Sequence, residues 1–178
     1  MSQITQKRRK IAMIIAPKNF RDEEYFTPKE IFEKNKIEVK TVSTEKGTAF
    51  GSEGGETEAD LIEGINLNNF EAIVFIGGSD CLKYLDNQVS YNLIKQAVEK
   101  EKVVGAICIA PTILAKSGVL KNKKATVWGT SLDKSGIKTL EENGADYQAK
   151  PIVVDGKIIT AWGADAAAEF AKKIIDLI

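Results

Sequence analysis

Short apolar runs alternate along the chain with longer stretches whose apolar residues recur at helical spacing. A strand buried on both faces loses the polar alternation of a half-exposed one, so it is written as a continuous apolar run. The strand candidates are residues 10–16, 38–43, 72–76, 103–108 and 125–128, and several of them are β-branched runs without polar alternation. Between them, apolar positions at a 3.6-residue period predict helices over 24–34, 89–100 and 111–116, and a last helix over 164–178. Strand and helix in alternation predict an α/β fold: a mostly parallel central sheet with helices on both faces.

Two stretches depart from that alternation. Residues 152–154 and 157–160 flank Asp155-Gly156, a two-residue turn signature, which predicts an antiparallel hairpin near the C-terminus. Residues 48–57 are glycine-rich and poor in apolar side chains, and predict a surface loop. No internal repeat is visible, and 178 residues with 43% hydrophobic content suit a single domain over 10–178 after a tail of residues 1–9.

Composition narrows the function classes. Twenty-five Lys and Arg balance 25 Asp and Glu, so no global field draws nucleic acid or an anionic membrane, and neither is expected as a partner. The basic cluster Lys7 to Lys10 fits a solvated tail. The first apolar run is stopped by Pro17, far short of a signal or membrane segment. Two cysteines, Cys81 and Cys108, do not make a disulfide framework, and a reducing cytoplasm is the expected location. The chain has no histidine, which removes the commonest general base and zinc ligand together. Ser-His-Asp and Cys-His catalysis within one chain are excluded, carboxylate-bound magnesium is the metal chemistry left open, and no cofactor is expected.

The candidate chemistry centres on Gly105 to Pro111, GAICIAP, which follows the apolar Val103-Val104 directly. Pro111 suits the first turn of a helix, so Cys108 falls where strand becomes helix, with small Ala106 and Ala110 two residues to either side. Free N–H groups at a helix start favour thiolate over thiol there. The spacing leaves a second reading open, a buried cysteine acting as a small hydrophobe. Cys81, shortly after Gly77-Gly78, fits either a resolving thiol for Cys108 or a helix first-turn residue without a partner.

Four features together resemble the ThiJ/PfpI family, in particular the branch of the Parkinson-disease protein deglycase. They are the GAICIAP elbow, the strand and glycine pair from Ile73 to Gly78, the acidic-aromatic segment from Phe20 to Pro28, and DGKIIT from Asp155 to Thr160 before Gly163. The resemblance implies a flavodoxin-like three-layer sandwich, a homodimer, and Cys108 as nucleophile. It assigns Glu24, four residues before Pro28, as the carboxyl partner of the cysteine, where position alone would make it an acid in a helix first turn. It assigns the backbone N–H groups of Gly77, Gly78 and Ile109 to an oxyanion. Protease-like members carry histidine after the cysteine, where this chain has Ile109. The deglycase branch has a second histidine where Trp128 stands, leaving Trp128 as an aromatic wall or a substrate contact.

These residues predict a cofactor-independent cysteine enzyme of glyoxalase or deglycase type acting on small 2-oxoaldehydes or glycated groups. An oxidation-sensing stress-response protein without turnover is the alternative. Intracellular protease or amidase chemistry is disfavoured by the missing histidine.

Overall fold

The computed structural model describes residues 8–178; of the tail expected over residues 1–9, all but Arg8 and Arg9 lies outside them. In chain order the elements are β1 (Lys10–Ile14), β2 (Lys18–Phe20), α1 (Asp22–Lys34), β3 (Glu38–Ser43), β4 (Gly47–Gly51), β5 (Glu56–Leu61) and β6 (Ala72–Phe75). There follow α2 (Cys81–Leu85), α3 (Gln88–Glu99), β7 (Val103–Ile107), α4 (Pro111–Ser117), β8 (Lys124–Ala125) and α5 (Ser135–Glu142). The chain ends with β9 (Asp146–Tyr147), β10 (Ile152–Asp155), β11 (Ile158–Ala161) and α6 (Ala167–Leu177).

Nine strands form one sheet in the order β10-β11-β7-β6-β1-β3-β5-β4-β2. From β11 to β5 every neighbouring pair is parallel, while β10 and β4 are antiparallel additions on β11 and β5. Ranked by chain position, β1, β3, β6, β7 and β11 lie in the order 2-1-3-4-5, the flavodoxin-like arrangement. The strand order of such a sheet reverses between its first and third strands, here the parallel neighbours β1 and β6, and leaves a crevice beyond their carboxyl ends.

Side chains alternate across the sheet and divide the core in two. Ile11 and Met13 of β1 pack with Phe32 of α1 and Phe170 and Ile174 of α6 on one face. Ala12 and Ile14 face the other way, toward Leu93 and Ile94 of α3 and Ile113 and Leu114 of α4. The sheet is therefore covered on both faces, as its unbroken apolar strands require. Among the described residues no helix is long and apolar enough to cross a membrane.

The structure corrects the sequence reading in several places. Residues 48–57 are not a loop: they hold most of β4, a four-residue tip and the start of β5, paired from Gly47 with Ala59 to Phe50 with Glu56. This hairpin lies near the sheet edge with its polar side chains in solvent, so it lacks the apolar run that marks the inner strands. The strand expected over 125–128 shrinks to β8, which pairs with β9 outside the main sheet. Helix α5 carries only Ile137 and Leu140 as large apolar residues, with Gly136 inside it, and its amphipathic signal was too short to register. The strand expected to include Cys108 ends at Ile107, and the last helix begins as a 3-10 turn over Ala164–Ala166.

Candidate active site

Cys108 occupies the turn between β7 and α4 at φ 64°, a left-handed conformation that side chains other than glycine adopt only under constraint. The constraints are visible. Its N–H donates to Ala161 O at 2.9 Å, extending the β7–β11 ladder by one bond, and its carbonyl accepts from Trp128 N–H at 2.8 Å. Ala110 N–H donates to Ile107 O at 3.2 Å, closing the turn under the cysteine. Ala106 and Ala110 are fully buried, so larger side chains there would separate strand from helix. Held in this way, Cys108 lines a cleft of about 740 Å³.

Glu24 reaches the same point from the first turn of α1. Arg21 N–H donates to Gly77 O at 3.1 Å, and Phe20 bridges Gly78, which fixes the first turn of α1 against the end of β6. Asp22, two residues before Glu24, is buried and accepts N–H bonds from Glu53 at 2.8 Å and Gly55 at 2.6 Å, fastening the β4–β5 tip to the same turn. Glu24 itself is 2% exposed, and its carboxyl shares a hydrogen bond with the Cys108 thiol. The Gly77 N–H is directed toward the same carboxyl group. Pro28 has no N–H to give to the Glu24 carbonyl, so the helix is open at the residue the site uses.

Two glycines make this approach possible. A Cβ on Gly77 would stand 2.5 Å from Cys108 Cβ and 2.6 Å from Glu24 Oε2, inside van der Waals contact with both. Gly78 has φ 126°, and its N–H, with that of Ile109, faces the Cys108 sulfur. Gly77→Ala is therefore expected to separate the two side chains and to cost about 1–3 kcal/mol of stability through overpacking. Urea denaturation checks this, and an unchanged midpoint would contradict the packing described.

Burial raises both titrating groups. The Glu24 carboxyl is pushed up to about 7, chiefly by loss of water, against the opposing influence of the Cys108 thiol, the Arg21 cation and the Gly77 N–H. Its Oε2 is buried without a hydrogen-bond partner, a condition a neutral carboxyl tolerates far better than a carboxylate. The Cys108 thiol is pushed up to about 12, first by burial and then by the neighbouring Glu24 carboxylate, with the Ile109 and Gly78 N–H groups pulling the other way. This reverses the expectation of a thiol lowered by the helix start. The N–H groups do face the sulfur, but the adjacent acid and the lost water outweigh them. The two groups titrate as one unit: above about pH 7 the pair carries a single negative charge and one shared proton.

Trp128 is not on a strand but lines the cleft with 36% of its surface exposed. Ile109 and Gly78 also line it, while Gly77 stands behind, against Glu24. Cys81 is a free thiol wholly buried in the apolar core at the start of α2, and burial raises its pKa further still. Arg21, Ser52, Ser79 and Asp133 are among the other lining residues, and none of them is singled out by the sequence. Only Arg21 left a signal, as the cation immediately before an acidic helix turn. Among the described residues no three His, Cys, Asp or Glu side chains cluster as metal ligands.

Known proteins resemble this chain over most of its length. The model of the DJ-1/PfpI family matches residues 9–177. An uncharacterized protein of Methanocaldococcus jannaschii is 41% identical over 97% of this chain and 83% of its own. Deglycase PfpI of Pyrococcus furiosus is 28% identical over 84% of this chain and 87% of its own, and a glutathione-independent glyoxalase of Caenorhabditis elegans is 30% identical over 66% and 60%. The crystal structure of a ThiJ/PfpI domain protein from Brachyspira murdochii superimposes with a TM-score of 0.89, at 31% identity and 96% coverage of both chains.

Proposed function

The chain belongs to the DJ-1/PfpI family, and from that premise we propose that it is a cysteine enzyme of glyoxalase or deglycase type, acting on small 2-oxoaldehydes or on glycated groups derived from them. The observation that carries the reading is the hydrogen-bonded Cys108–Glu24 pair, one proton between two groups, at the wall of an open cleft.

The shared proton gives each group a task. With the proton on Glu24, the sulfur is a thiolate facing the Ile109 and Gly78 N–H groups. It adds to the aldehyde carbon, C1, and the carbonyl oxygen takes the Glu24 proton, forming a hemithioacetal. Glu24, now a carboxylate, removes the hydrogen of C1 as a proton and returns it to C2, while the hydroxyl proton passes from the C1 oxygen to the C2 oxygen. C1 rises to the acyl level as the C2 ketone falls to an alcohol, so the oxidation is internal and needs no electron acceptor. Water then cleaves the thioester, giving a 2-hydroxy acid and the free thiol. The Gly78 and Ile109 N–H groups are the donors for negative oxygen, and Gly77 serves by admitting Glu24.

The reading includes a cytoplasmic homodimer of one-domain chains working without a cofactor, supported by family membership and by the family match across residues 9–177. The oxidation-sensing alternative relies on a thiol lowered by itself, whereas burial raises Cys108, which favours chemistry that uses the proton partner. Protease chemistry has no imidazole at Ile109 or Trp128 to serve the leaving amine. The test is lactate formation from methylglyoxal by the purified protein: steady formation is expected, and its absence would overturn the proposal.

A further inference from the structure

The cleft of about 740 Å³ is far larger than a three-carbon aldehyde needs, and its wall is not electrically uniform. Among the described residues lining it, Arg21 carries the only cationic side chain. The main chain of Arg21 is fixed by its bond to Gly77 O, next to the glycines that hold the reacting pair. Its guanidinium meets Glu53 Oε1 at 3.3 Å, with 46% and 52% of the two side chains exposed. An ion pair so well hydrated holds little net energy, so a carboxylate entering the cleft can replace that of Glu53 with one equivalent contact exchanged for another. Glu53 in turn keeps the guanidinium poised, because its own N–H is tied to Asp22. Ser52 and Ser79 line the same cleft.

We infer that Arg21 is a specificity residue of this cleft, and that the substrate it selects is a 2-oxoaldehyde bearing a carboxylate further along its carbon chain. The assignment rests on the glyoxalase reading of Cys108. A monoanion fits better than a phosphate dianion, because Asp133, which also lines the cleft, stays ionised, held by Ser135 N–H at 2.9 Å and Ser135 Oγ at 2.6 Å, and repels a second charge. A guanidinium engages a carboxylate through two parallel N–H bonds, which gives orientation as well as attraction. With the carboxylate there, the aldehyde end extends toward Cys108.

Two ratios test this, each measured in wild type, Arg21→Gln and Arg21→Lys. The first is kcat/KM for 4,5-dioxopentanoate, which would yield 2-hydroxyglutarate, divided by that for methylglyoxal. The second is the rate of Cys108 alkylation by iodoacetate divided by that by iodoacetamide, read by mass spectrometry. Because both reagents in each ratio meet the same Cys108–Glu24 pair, any effect of Arg21 on the pair's titration cancels. Both ratios are expected to fall by about tenfold or more in Arg21→Gln and to recover only partly in Arg21→Lys, which keeps charge without the bidentate fork. A fall in the alkylation ratio with no turnover of either aldehyde would keep Arg21 as the carboxylate site and remove the glyoxalase reading instead. An alkylation ratio unchanged in Arg21→Gln would overturn the inference, as would a turnover ratio that stays constant while both aldehydes are consumed.

Discussion

Cys108→Ser is expected to reduce kcat/KM for a 2-oxoaldehyde by at least about 1,000-fold while leaving the denaturation midpoint unchanged. The hydroxyl fills nearly the same space, and the backbone bonds that hold the residue at φ 64°, donated to Ala161 O and accepted from Trp128 N–H, do not involve its side chain. What changes is acidity. Glu24, at about 7, can exchange a proton with a thiol that the Ile109 and Gly78 N–H groups stabilise as an anion, but an alcohol is too weak an acid for that exchange. Steady-state product formation decides the matter. A serine variant with more than a tenth of wild-type activity would mean that some other group is the nucleophile.

The second large effect is on stability. Glu24 is raised from 4.5 to about 7 in the folded protein. An acid with a raised folded pKa binds more protons folded than unfolded between those two values, so stability falls as pH rises through that window. Below 4.5 the carboxyl is neutral in both states and nothing is lost. Above 7 the whole difference opposes folding. Glu24→Gln removes the titration, so its stability relative to wild type is expected to climb by about 2.5 kcal/mol between pH 5 and pH 8. In urea this corresponds to a relative midpoint gain of roughly 1 M. The variant is expected to lose turnover as well, since the amide cannot carry the proton. Parallel stability curves for the two proteins across that range would show that Glu24 is not held neutral by burial.

The inner strands and the elbow were legible because each writes a local signature. Val103 to Ile107 is continuous and apolar since both faces of β7 are covered, and Pro111 and the flanking alanines mark the turn on either side of Cys108. Asp155-Gly156 likewise announced the hairpin of β10 and β11. The family resemblance supplied Glu24, whose place in a helix first turn says nothing about the cysteine 84 positions further on.

What stayed hidden depends on distant contacts. The tip of the β4–β5 hairpin is set by the Asp22 carboxylate, which receives N–H bonds across more than thirty positions and leaves no pattern around residue 52. Trp128 lost its strand because its N–H goes to the Cys108 carbonyl rather than to a sheet neighbour. The direction of the cysteine's pKa is hidden for the same reason. The helix start can be read locally, but burial and the Glu24 carboxylate, which outweigh it, arise only when the ends of β1, β6 and β7 come together.

The central claim is that Cys108 and Glu24 share one proton, and the pH dependence of Cys108 alkylation by iodoacetamide, wild type against Glu24→Gln, tests it most directly. In wild type the rate is predicted to rise through a step at about pH 7, where the pair acquires its single charge, and then to level off. In Glu24→Gln that step disappears, and the rate rises only at higher pH, above the value of about 8.5 usual for an exposed thiol. Superimposable profiles, or a wild-type thiol titrating alone near 8.5 with no step at 7, would contradict the account.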